Sequence, residues 1–168
     1  MQIKVTMPKR KRPIGKLNFG GAEFVDMQDA DMSLVTGIRG AWVLDLSNTI
    51  GLHGKWDFTQ MGKVFLCGAD LSKVYELRGG EVMSFYGTKG LRGIIDLTKT
   101  QKAYFQDVDL SGVKTILCKF QTQLIGLNNC KGYQDKVKYA VQPETTELTP
   151  DNFPVWYANI LEQNQKQK

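Results

Sequence analysis

Histidine is almost missing from this sequence: His53 is the only one in 168 residues. A Ser/His/Asp site, a Cys/His pair or a multi-histidine metal centre would each have to rest on that one side chain. Cysteine is scarce as well. Cys67, Cys118 and Cys130 form an odd set with no CxxC pair, which argues against a disulfide framework and against a zinc site. No stretch approaches the roughly 20 consecutive apolar residues that span a bilayer. The N-terminus, MQIKVTMPKRKRP, lacks the apolar core and small-residue cleavage site of a secretory signal. These absences predict a protein with no catalytic, cofactor or metal site and no membrane span, working in the cytoplasm with its thiols reduced. A secreted effector acting inside a host cell, including its nucleus, is the alternative location.

Acidic residues are absent from the first sixteen positions, which hold Lys4, Lys9, Arg10, Lys11, Arg12 and Lys16. The whole chain has a formal charge of +5, so residues 17–168 sum to −1. The basicity belongs to a tail, and a uniformly cationic body that wraps nucleic acid is not indicated. Lys9, Arg10, Lys11 and Arg12 lie between two prolines, Pro8 and Pro13. Such a run suits contact with nucleic-acid phosphates or with an import receptor, or else serves as a solvated tail.

What the chain does have is self-similarity. The segment beginning at Leu52, LHGKWDFTQMGKVFLCGADLSKV, matches the one beginning at Leu91, LRGIIDLTKTQKAYFQDVDLSGV, at an offset of 39 residues, and the same shift leads back to Pro13. Gly15, Gly54, Gly93 and Gly132 keep this spacing, as do the apolar columns Met27, Leu66, Phe105 and Met32, Leu71, Leu110. Within the unit runs a finer step of five: AYFQD, VDLSG, VKTIL from Ala103, and VFLCG, ADLSK, VYELR from Val64. A period of five fits neither a helix nor an ordinary strand. It fits a chain that turns a corner every five residues, so that four sides close a coil of about 20 residues and 39 residues make two coils. VYELR and VKTIL set Leu77 and Ile116 one residue late.

Ala69-Asp70-Leu71-Ser72-Lys73, Ala30-Asp31-Met32-Ser33-Leu34 and Val108-Asp109-Leu110-Ser111-Gly112 are similar to the motif of the pentapeptide-repeat proteins, with Ile95-Asp96-Leu97-Thr98-Lys99 close to it. The resemblance implies an all-β fold, a right-handed quadrilateral β-solenoid from about Pro13 to Ala140. Its strands would stack at about 4.8 Å with like side chains over one another. A three-fold β-trefoil or β-prism is the rival architecture. Three segments are expected: a basic arm or capping strand at 1–12, the solenoid at 13–142, and a linker with a short C-terminal capping helix at 143–168. Leu66, Leu71, Phe105 and Leu110 are assigned to the core. Phe153, Trp156, Ile160 and Leu161 are assigned to the apolar face of the helix, as a cap or a dimer contact, in a monomer or homodimer.

The recurrent acids Asp31, Asp70, Asp96 and Asp109 each precede an inward residue and are read as corner residues, while His53 aligns with Ile14, Arg92 and Lys131 at a variable outward position. Cys118 and Cys130 fall at interior positions. With no enzyme signature present, the leading expectation is a non-enzymatic interaction module that binds a protein partner through a solenoid face. A nucleic-acid-associated protein using the basic arm is the second reading. The resemblance adds a third, protection of DNA gyrase by mimicry of duplex DNA, but that needs an acidic body and this one is near neutral.

Overall fold

The computed structural model describes residues 3–8 and 11–140. The expected C-terminal helix with Phe153, Trp156, Ile160 and Leu161 lies outside the described residues, as do Lys9 and Arg10. The strands are β1 (Lys4–Thr6), β2 (Gly15–Asp26), β3 (Val35–Asp45), β4 (His53–Asp57), β5 (Lys63–Phe65), β6 (Lys73–Arg78), β7 (Val82–Ser84), β8 (Arg92–Leu97), β9 (Lys102–Tyr104), β10 (Gly112–Cys118), β11 (Gln123–Ile125) and β12 (Val137–Tyr139). They form a seven-stranded sheet, β1-β2-β3-β5-β7-β9-β11, and a five-stranded sheet, β12-β10-β8-β6-β4. Every strand pairing among the described residues is parallel. The fold is therefore a β-solenoid of about seven coils. A trefoil or prism built from antiparallel hairpins is excluded.

The 39-residue period is two coils. In the long sheet Lys4, Phe24, Val43, Lys63, Val82, Lys102 and Gln123 lie over one another. Phe24 to Lys63 and Lys63 to Lys102 are both 39 residues, each divided by an intermediate coil into unequal steps of 19 and 20. The two-coil period also shows in the ladder itself. Gly54 pairs with Val74 and Lys55 with Glu76, so Tyr75 is looped out as a bulge. Gly15 against Val35 leaves out Thr36, and Gly93 against Val113 leaves out Lys114. The bulged residues recur at the same 39-residue interval, each opposite a glycine at positive φ: 78° at Gly15, 79° at Gly54 and 73° at Gly93. A Cβ on Gly93 would collide with the Tyr75 carbonyl oxygen, so this coil accepts its bulged neighbour only without a side chain. The same bulges at Tyr75 and Lys114 explain why Leu77 and Ile116 come one residue late in the five-residue step.

On the remaining sides the step of five holds. Ala103, Phe105, Val108, Leu110 and Val113 point inward at alternating intervals of two and three, as do Val64, Leu66, Ala69, Leu71 and Val74, and all ten are buried. Leu66, Phe85 and Phe105 form one interior column, and the Phe85 and Phe105 rings stack with centroids 4.9 Å apart, one coil spacing. Leu66, Leu71, Phe105 and Leu110 are each at most 1% exposed. Burying such side chains stabilises by roughly 1.5–3 kcal/mol apiece. The corners close with local hydrogen bonds: the Asp31, Asp70 and Asp109 carboxylates accept the backbone N–H of Ser33, Ser72 and Ser111 at 3.0, 2.9 and 2.8 Å.

The glycine column separates two effects. Gly15→Ala meets no atom within 4 Å and is expected to lose about 1–2 kcal/mol for the left-handed backbone alone. Gly93→Ala adds a backbone clash and is expected to lose a further ~1–3 kcal/mol. Denaturant midpoints of the two variants, measured side by side, check the order; equal losses would refute the bulge-against-glycine account.

Candidate binding groove

Side chains on the outer face of the long sheet alternate with the buried ones, so each short strand presents two residues outward. On β5, β7 and β9 these are Lys63 and Phe65, Val82 and Ser84, Lys102 and Tyr104, and Gln123 follows on β11. They form the floor of a groove of about 1100 Å³. Its wall has a simple origin. Arg78, Asp96 and Leu117 are in register on the other sheet, and Val82, Lys102 and Gln123 are in register on this one. The path between the sheets takes four steps from Arg78 to Val82 but six from Asp57 to Lys63, from Asp96 to Lys102 and from Leu117 to Gln123. Two of the six-step corners, 98–101 and 119–122, stand beside the floor. Buried threonines pin them: the Thr100 hydroxyl donates to the Gly80 carbonyl at 2.8 Å and the Thr122 hydroxyl to the Thr100 carbonyl at 2.9 Å.

Four lysines line the groove, Lys63, Lys99, Lys102 and Lys119, and no carboxylate does. None of the four forms an ion pair with a described residue. The five-stranded sheet has the opposite character: Lys55 pairs with Glu76 at 2.7 Å, and Arg78 lies 4.0 Å from Asp57 and 3.7 Å from Asp96, so charges cancel from coil to coil. The floor of the groove carries aromatic rings, with Phe65 and Tyr104 each half-buried. Ser84, Thr98, Gln101, Gln121 and Gln123 supply neutral hydrogen-bonding groups. Asp26 and Asp45, on earlier coils of this sheet, are engaged by Gln28, the Asp45 carboxylate accepting its amide at 2.6 Å.

A second hollow, about 380 Å³, lies where the five-stranded sheet stops at β4 and no ladder joins β4 to the first half of β3. Trp56 fills part of this break, its indole N–H donating to the His53 carbonyl at 3.0 Å. The lining mixes Lys16, Arg39 and Lys55 with Asp57.

The sequence-derived candidates fall elsewhere. His53 is exposed, its Nδ1 3.0 Å from the Gly51 carbonyl. Burial pushes the Cys118 thiol up to about 11 and also raises Cys130, whose S–H donates to the Phe105 carbonyl. Of the basic run, Arg12 is seated on the solenoid body, donating to the Ser33 hydroxyl at 2.8 Å and lying 3.3 Å from the Asp31 carboxylate, while Lys11 is exposed. The groove lysines escaped sequence reasoning because they occupy outward positions, where apolar columns carry no signal. One signal was present: Lys63-Val64-Phe65 and Lys102-Ala103-Tyr104 repeat a lysine and an aromatic at the 39-residue interval. No group of three or more His, Cys, Asp or Glu suited to a metal occurs among the described residues, and no described helix is long and apolar enough to cross a membrane. No known protein family, curated protein or solved structure matches this chain.

The corner aspartates give a pH dependence. The Ser111 hydroxyl and backbone N–H, with Lys131 nearby, hold the Asp109 carboxyl down to about 2 from an ordinary 3.8. Its stabilising contribution is complete above the ordinary value and is lost as pH falls through the folded one. The denaturant midpoint should therefore drop between about pH 4 and pH 2, and Asp109→Asn, which keeps an acceptor oxygen without the titration, should flatten part of that drop. An unchanged profile in the variant would count against the assignment.

Proposed function

We propose that this chain is a non-enzymatic interaction module of the pentapeptide-repeat type, working in the cell interior, whose recognition surface is the lysine groove on the outer face of the long sheet, and whose partner is an extended polyanion. The carrying observation is the convergence of Lys63, Lys99, Lys102 and Lys119 on one concavity without a carboxylate, in a molecule that pairs acid with base on its other sheet. Like charges gathered in a concave site raise the local concentration of an oppositely charged ligand. A partner protein would meet this surface through an acidic stretch. Mimicry of duplex DNA is not favoured, because the clearest charge cluster on the body has the sign opposite to that of a duplex.

The test uses a chain whose Lys9, Arg10, Lys11 and Arg12 are already alanine, applied to a sulfated-dextran column. Changing Lys63, Lys99, Lys102 and Lys119 to alanine in that background should abolish salt-dependent retention. An equal change of charge at Lys16, Lys73, Lys89 and Lys138, which lie outside the groove, should leave most of it. Equal loss from the two sets would show that net charge, and not the groove, is responsible.

A further inference from the structure

We infer that the polyanion is a single-stranded nucleic acid, its bases lying against Phe65 and Tyr104 and its phosphates against the groove lysines. The inference rests on the groove being the binding surface and names what that surface takes. The two-coil repeat places a lysine and an aromatic side by side on β5 and again on β9, roughly 10 Å apart along the stack. Between them β7 contributes only Val82 and Ser84, so the column that carries the rings has its smallest member in the gap. Neither Phe65 nor Tyr104 stacks on another described ring; the ring contacts among the described residues are Trp56 with Phe58, Phe85 with Phe105, and Phe120 with Tyr139. A cationic groove with free aromatic faces is the chemistry that holds unpaired bases and tracks a phosphate backbone.

Two competitors fit less well. A duplex keeps its bases stacked and paired, so it offers the rings nothing to stack on and uses only the lysines. An acidic polypeptide gains affinity on a β-protein chiefly by adding a strand to an open edge. The groove floor, however, is the face of a sheet whose β5, β7 and β9 are paired on both sides. That leaves an acidic peptide the lysines alone, with no use for Phe65 or Tyr104.

The experiment is fluorescence anisotropy of the full chain with a labelled 12-nucleotide RNA, the same sequence as single-stranded DNA, its DNA duplex, and a labelled oligoglutamate. Single strands should bind more tightly than the duplex or oligoglutamate. Phe65→Ala and Tyr104→Ala should each weaken single-strand binding about 5- to 150-fold, with Tyr104→Phe close to the parent. The Lys63→Ala/Lys102→Ala pair should lower the slope of log affinity against log salt by about 1.4. The RNA and DNA arms report which sugar is preferred, and preference for either supports the inference. Oligoglutamate or duplex bound as tightly as the single strand, with no effect of the aromatic variants, would overturn the nucleic-acid assignment while leaving a polyanion groove in place. No binding of any probe, or binding indifferent to Lys63 and Lys102, would overturn both. Near-parent denaturant midpoints for these outward-facing variants distinguish loss of contact from loss of fold.

Discussion

Each coil of this protein must bring its backbone back into register above the previous one, because the parallel ladder is what joins the coils, with a spacing near 4.8 Å. Everything else is arranged around that return. Seven strands stack in the long sheet without interruption from β1 to β11. Side chains of similar size then fall over one another, and the core becomes a set of columns such as Leu66, Phe85 and Phe105 rather than a three-dimensional jigsaw. Stability in such a fold is local, so the coils need not have identical lengths if each pair of neighbours is reconciled.

The reconciliation is visible where a bulge faces a glycine. Thr36, Tyr75 and Lys114 are the surplus residues of alternate coils, opposite Gly15, Gly54 and Gly93, and at Gly93 the missing side chain also clears the Tyr75 backbone of the preceding coil. Because the bulge recurs only in every second coil, two coils, and not one, are the repeating unit of the sequence. It also sets the outer surface, since residues two coils apart occupy equivalent places. Lys63 and Lys102, with Phe65 and Tyr104, are such a pair, and the longer corners at 98–101 and 119–122 turn an otherwise flat face into a groove. Tyr75 and Lys114 lie on the five-stranded sheet and Thr36 on β3 of the long sheet, while Lys63 and Lys102 lie on β5 and β9 and Lys99 and Lys119 in the corners.

Polar groups follow the same economy of position. Corner carboxylates accept the backbone N–H two residues on, which satisfies a donor that the ladder leaves unpaired at each turn. Buried hydroxyls behave alike, Thr49 and Thr88 donating to carbonyls three residues back. Among the described residues no buried side-chain nitrogen or oxygen lacks a partner. The groove lysines are therefore conspicuous as a set of charges for which the fold itself has no use.

Apolar periodicity determined the winding, from the sequence alone. The columns at 39 residues and the step of five required a chain that turns corners and stacks on itself, because only inward positions are constrained to be apolar and they recur twice in each five-residue side. The acids of the corners were legible for the same reason, each preceding an inward residue. Tertiary structure decided what the outside does. Whether Lys63, Lys99, Lys102 and Lys119 meet depends on strand register and on corner length, and their own outward positions carry no apolar column to report either. The commitment of Arg12 to Asp31 and Ser33 was equally hidden, because those residues are brought together only when one coil is laid upon the next.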